Sequence, residues 1–213
     1  MHMLFGDWRF AQDAERAIAA VRDPSNFHWS ILTLFAIVMV IYCNEIKAKN
    51  YKAVACALTL YSIHWFYEIM NAVICHFTGY ALWTVSPEST SFILLIGVSA
   101  ELSLMFSISG FTCGLLPEDK DLKILGINNR VLFGIGFAAF CSIFEIFLAW
   151  TPAFIWVYPW WGCIPVFITT YIPFFVGAYL VYDLPAKKQW TVVGVLVAVN
   201  IVLLATLIPL GII

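Results

Sequence analysis

Charge is what this sequence has least of. Asp, Glu, Lys and Arg together make up 11% of its 213 residues, while 62% are hydrophobic. Soluble domains carry about 25% charged and about 45–50% apolar residues. A chain with this imbalance would leave its water-facing surface largely apolar, so a soluble domain is excluded and lipid is the solvent that fits. The formal net charge of -2 offers no broad basic surface for nucleic acid. No close CxxC pair occurs among Cys43, Cys56, Cys75, Cys113, Cys141 and Cys163. They read as small hydrophobes within apolar runs, with a metal site or a disulfide as the alternative. Residues 1–28 carry acidic residues early and lack an apolar h-region, unlike a cleavable signal peptide. Neither an internal repeat nor a low-complexity segment is evident.

What the chain does have is apolar runs of membrane-crossing length, roughly 20 residues for about 30 Å of hydrocarbon. They predict spans near 29–43, 52–78, 91–116, 130–150, 162–182 and 189–213. The expected fold class is thus an all-α integral membrane bundle of about six transmembrane helices. It forms one domain over 29–213, preceded by an amphipathic segment, 1–28. In that segment Leu4, Trp8, Ala11, Ala14, Ile18 and Val21 fall broadly on one helical face, which suits a helix lying in the membrane interface or a solvated terminal helix.

Basic residues are distributed unevenly. Lys47, Lys49, Lys52, Lys120, Lys123, Arg130, Lys187 and Lys188 occupy alternate loops, whereas 79–90 and 151–161 contain no Lys or Arg. The basic loops are therefore expected in the cytoplasm, with both termini on the other side, as an even number of spans requires. The segment TPAFIWVYPWWG has the aromatic density of a headgroup anchor, or of a lid over a cavity opening on that side.

Beyond Lys52 and Arg130 at their first positions the spans hold no Lys or Arg, yet there are three glutamates, Glu68, Glu101 and Glu145. An ionisable group at the centre of a membrane helix costs roughly 2.5 kcal/mol or more, so each needs a reason. Glu68 lies 16 residues beyond Lys52, Glu145 lies 15 beyond Arg130, and Glu101 lies 15 before Leu116. At about 1.5 Å per residue all three are expected about 23 Å from the cytoplasmic end, in one layer. His64, Glu68 and Asn71 follow i, i+4, i+7 spacing and share a face, while Ser142 accompanies Glu145. Gly97, Ser99, Ser103, Ser107 and Gly110 give the third segment small residues for close helix approach.

One buried polar pocket follows, in which Glu68, Glu101, Glu145 and His64 are the candidate catalytic groups. Asn71, Tyr171, Asn200 and Trp65 are the candidate substrate contacts. The bland alternative is that these groups only hydrogen-bond helices together. Three carboxyls close together in low dielectric cannot all ionise without a cation, so at least one is expected to stay protonated. A protonated glutamate is a general acid, and a neighbouring carboxylate or neutral histidine is the matching base. In an apolar cavity that pair suits protonation of an alkene or epoxide, with a proton removed elsewhere, and aromatic rings nearby stabilise a carbocation. The expected partners are a lipophilic small molecule and the bilayer. No cofactor is expected. The alternative is a divalent metal on His64, Glu68, Glu101 and Glu145, or a proton or cation relay in a small transporter or a subunit of a membrane complex.

The stretch SIHWFYEIMN, residues 62–71, resembles the second helix of the sterol-isomerase (emopamil-binding, EXPERA) family. There a His and a Glu four residues apart act on a carbocation, a spacing that His64 and Glu68 match. Glu101 and Asn200 would correspond to further pocket residues of that family. WFYEI also looks like the Trp-x-Glu-Ile-type motif of the integral-membrane meroterpenoid cyclases. Their second acidic residue falls in the last span, where this chain has none, so Glu145 would have to substitute. The resemblance implies isomerisation or cyclisation of an isoprenoid. The six expected spans depart from the five and seven usual in those families.

Overall fold

A computed structural model describes residues 4–151 and 153–213 as a helical bundle with short β-ribbons at its ends. A short helix, α1 (Ala11–Ala19), is followed by α2 (Ser30–Lys47) and the central α3 (Tyr51–Thr78). Two ribbon elements come next, β1 (Thr84–Val85) and the hairpin β2 (Ile93–Leu95) with β3 (Val98–Ser99). They lead into α4 (Ala100–Ser109), which continues as a 3-10 helix over Gly110–Leu115. A hairpin of β4 (Lys123–Ile124) and β5 (Ile127–Asn128) precedes α5 (Asn129–Trp150). Then follow β6 (Phe154–Ile155), α6 (Cys163–Tyr182) and α7 (Ala186–Leu207).

The all-α membrane class holds, but among the described residues five helices, not six, are long and apolar enough to cross a membrane: α2, α3, α5, α6 and α7. The third expected span is where the difference lies. Its first part, 91–99, is not helical but folds back on itself as β2–β3, with Ile93, Leu95 and Val98 buried. The run is apolar because protein covers it, the condition under which non-helical backbone is tolerated at depth. Helix occupies only Ala100–Leu115. Its 3-10 turns rise about 2.0 Å per residue, so the segment still measures about 27 Å. It runs from the β-ribbons back to Pro117, whose carbonyl accepts from Arg130 at the start of α5.

The bundle thus has two distinct ends. At the basic end, the Arg130 guanidinium donates to Asp183 at 2.6 and 3.1 Å, and Lys52 lies 3.6 Å from the same carboxylate. This joins the starts of α3 and α5 to the end of α6. At the cap end, β1 pairs with β6, and residues 4–7 run beside 156–163 through Gly6 N–H to Trp161 O and Asp7 N–H to Trp156 O. Arg22 donates to the Ile213 carbonyl, so the N-terminal segment and the last residues share this end. α1 docks here through Ala14 and Ala17, both fully buried, whereas Leu4, Trp8 and Ile18 are exposed. The face that packs is the alanine face, because small side chains let the helix lie directly on the cap.

Lipid tails are as apolar as Leu, so close packing and interhelical hydrogen bonds hold such a bundle together. Gly110 brings the 3-10 segment onto the Ala57 backbone with no room for a Cβ. Tyr61 meets Ser103 at 2.8 Å and Thr112 meets Tyr179 at 2.7 Å. Between Pro165 and Pro173, α6 carries a π turn over Phe167–Tyr171. Proline lacks an N–H, and the widened turn accommodates the interrupted ladder.

Candidate functional site

Glu68 and Glu145 face one cavity of about 300 Å³, with α3, α4, α5 and α6 as its walls. Both carboxylates are 3% exposed, and no Lys or Arg lines the space. Along α5 the lining runs from Phe137 to Leu148, about 16 Å of helix. The cavity is therefore an elongated apolar slot with its acids near the cap end.

The stripe on α3 builds the first half of the acidic end. His64, Glu68 and Asn71 are all buried, as their spacing requires. Asn71 does not reach the cavity. Its amide donates to Trp83 O and accepts from Leu82 N–H, each at 2.8 Å, and so clamps the loop after α3. That clamp sets the Trp83 indole so that Nε1 donates to both Glu68 oxygens at 3.1 Å. Gly97, at the β2–β3 turn, closes over the group. A Cβ there would collide with Glu68 Oε2, Asn71 Nδ2 and Trp83 Nε1. The expected role of Gly97 in helix–helix approach is thus replaced by one in the cap.

His64 Nε2 stands 3.3 Å from Glu68 Oε1, and neither ring nitrogen has a hydrogen-bond partner among the described residues. The imidazole stacks on Phe106 with ring centroids 4.1 Å apart. The second half of the acidic end comes from α5. Glu145 Oε1 accepts from Trp156 Nε1 at 3.0 Å, and the Tyr171 hydroxyl lies beside the same carboxyl. The π turn of α6 delivers Tyr171 and Thr170 to the cavity wall, and Thr170 Oγ1 has no partner among the described residues. Such π turns recur at functional sites.

The remaining expected residues lie elsewhere. Glu101 sits in the first turn of α4, accepts from Ser91 N–H and does not line the cavity. Because α4 begins at Ala100, this glutamate meets the positive end of the helix dipole, and the three carboxyls do not share one pocket. Asn200 donates to Ser62 O at 2.7 Å and fastens α7 to α3. Trp65 is partly buried against Ile69, Leu95 and Val98, away from the cavity. Among the described residues no group of three His, Cys, Asp or Glu side chains is placed to hold a metal ion, so the alternative ligand set is not assembled. The aromatic loop after α5 does cover the acidic end, through Phe154 in the lining and Trp156 on Glu145. Trp83 was not foreseen. The signal available was an indole in a loop without cations, beside acids that had to find donors.

An apolar bundle with a lipid-facing exterior and two buried carboxyls in one cavity defines a multi-pass integral membrane protein. The chain belongs to a family described as an uncharacterized membrane protein family, whose profile matches residues 11–209. It is also 42% identical over 198 residues to a protein of Archaeoglobus fulgidus described as an uncharacterized protein, covering 91% of this chain and 94% of that one. No solved structure matches. Neither finding extends the resemblance of the α3 stretch to isomerases and cyclases.

Proposed function

We propose that the protein is a membrane enzyme performing acid–base chemistry on a lipophilic, isoprenoid-type substrate, with Glu68 and Glu145 as the reacting pair. One observation carries this reading: carboxyls from two separate helices face one apolar cavity whose wall, among the described residues, holds no Lys or Arg. Two such groups in low dielectric resist ionising together. One then serves as acid while the other, or His64, serves as base.

In an isomerisation, the acid forms a C–H bond at one alkene carbon and leaves a carbocation next to it. The base breaks a C–H bond on the cation's far side, the electron pair becomes the new double bond, and the proton inventory is unchanged. In a cyclisation a second alkene attacks the cation before the proton leaves. Phe106, Tyr171 and Phe174, with ring centroids 5.9–6.3 Å apart, supply aromatic faces for the cation. Of the residues expected from the sequence, the reading retains Glu68, Glu145, His64 and Tyr171. It gives Glu101, Asn71, Asn200 and Trp65 structural work. The same reading puts the Lys- and Arg-bearing loops in the cytoplasm.

The test is incubation of the protein in nanodiscs with a mixed isoprenoid lipid extract, followed by mass spectrometry for products isomeric with their precursors. Glu68→Gln and Glu145→Gln are each expected to lose about 10²-fold or more of the turnover, the usual scale for an acid or base. Glu101→Gln is expected to retain it. Full turnover in both cavity variants overturns the proposal.

A further inference from the structure

We propose that the cavity is loaded sideways from the bilayer, through the gap between α4 and α5, by a single-chain lipid with an uncharged, hydrogen-bonding head. Phosphorylated lipids are turned away. The inference deepens the reading above and rests on it for the site.

The gap is a feature of the packing. α4 packs on α2 and α3, and α5 packs on α6, but among the described residues α4 and α5 touch each other slightly at most, although both line the cavity. Met105 on one side is 39% exposed and Phe140 on the other is 67% exposed, yet both belong to the cavity wall. Residues that line an interior space and also face outward mark its mouth. Phe140 stands 11 residues into α5, about 16 Å along the helix, hence near the middle of about 30 Å of hydrocarbon. A mouth at that depth opens onto lipid chains rather than water.

The head group follows from what the acidic end has and lacks. His64 Nδ1 and Nε2 and Thr170 Oγ1 are buried polar atoms on the cavity wall with no hydrogen-bond partner among the described residues, Nε2 having only the Glu68 carboxylate nearby at 3.3 Å. Buried polar groups are ordinarily hydrogen-bonded, so these atoms point to a ligand that brings its own donor and acceptor, as a hydroxyl does. A phosphate or diphosphate would meet Glu68 and Glu145 with no Lys or Arg to neutralise it. The volume of about 300 Å³ is at the low end for ligand sites, about 300–1,000 Å³, which suits one chain rather than two. The reaction that supplies this substrate must therefore deliver it with any diphosphate already removed.

The test uses the protein in nanodiscs with a photoactivatable farnesol carrying a diazirine at its tail. Labelling is expected on α4 and α5 peptides. Unlabelled farnesol is expected to compete about 10²-fold more effectively than farnesyl diphosphate, since like-charge juxtaposition costs several kcal/mol. Met105→Trp and Phe140→Trp, at lipid-facing positions that tolerate bulk, are expected to slow labelling severalfold. Ile201→Trp on the lipid face of α7 is expected to leave it unchanged. Diphosphate competing as well as the alcohol overturns the head-group assignment. Wild-type labelling rates in both mouth variants overturn the route. Labelling that follows the expected pattern without any product in the turnover assay sinks the enzyme reading alone and leaves the binding site standing.

Discussion

Gly97→Ala adds a single methyl group at the most crowded point of the cap. The new Cβ would fall on Glu68 Oε2, Asn71 Nδ2 and Trp83 Nε1 at once. None of these is a free end. Asn71 is held on both sides of its amide, and the Trp83 ring stacks on Trp161 with centroids 5.8 Å apart. Overpacking of this kind costs about 1–3 kcal/mol. If the Trp83 indole swings away instead, Glu68 loses its donor, and hydrogen bonds to charged groups are worth about 1.5–3 kcal/mol. Whichever way the strain is relieved, the expectation is about 1–3 kcal/mol. At about 2–4 °C per kcal/mol for a chain of this size, the midpoint falls by about 2–12 °C. The assay is thermal unfolding of the purified protein in detergent, with Gly136→Ala as its control. Gly136 lies within α5 with open space around its Cβ position, so alanine there is expected to be neutral or to stabilise by up to about 1 kcal/mol. A Gly97→Ala protein that melts with the wild type would show that the cap does not hold the acids as described.

Two further expectations concern the basic end. Asp183→Asn leaves Arg130, 3% exposed, without its charge partner. The cost is expected to be about 3–5 kcal/mol, read as a lower unfolding midpoint. Burial raises the Asp183 pKa, but the Arg130 hydrogen bond and the charges of Arg130 and Lys52 outweigh it and hold the carboxyl below its ordinary value. Its contribution is therefore full above the ordinary carboxylate range, about 3.9, and is lost as pH falls through the lower folded value. Melting curves against pH should show that acid limb in the wild type and lack it in Asp183→Asn. For orientation, single cysteines at Asn50 and Ser89 are expected to react with impermeant reagent from opposite sides of the membrane, and labelling of both from one side refutes the assignment.

The membrane class was legible because composition fixes the solvent before any residue is placed. Long helices such as α3 and α5 were legible because continuous apolar runs of that length have few other solutions in lipid. The segment 91–99 was not, because SFILLIGVS is as apolar as a span while its cover is protein. An apolar run reports dryness, not helicity. That one misreading moved Glu101. In the first turn of α4, Glu101 accepts from the Ser91 N–H before the ribbon and so turns away from the cavity. Glu68 and Glu145 were placed correctly in relation to each other because both lie on unbroken helices that start at the same end. Their donors, Trp83 and Trp156, were invisible to periodicity because each sits in a loop and approaches its acid from another element.

The ribbon of β1 and β6 pairs Thr84 with Ile155 and Val85 with Phe154. Trp83 immediately precedes the first strand and Trp156 immediately follows the second. The two indoles that solvate the two carboxyls therefore both adjoin the Thr84–Ile155 rung, one on each strand at the same end of one short ladder. A displacement of either strand is transmitted to the other through the shared rungs, so the acids gain or lose their indole donors in step. The ribbon thus links the local polarity around Glu68 to that around Glu145 through its backbone.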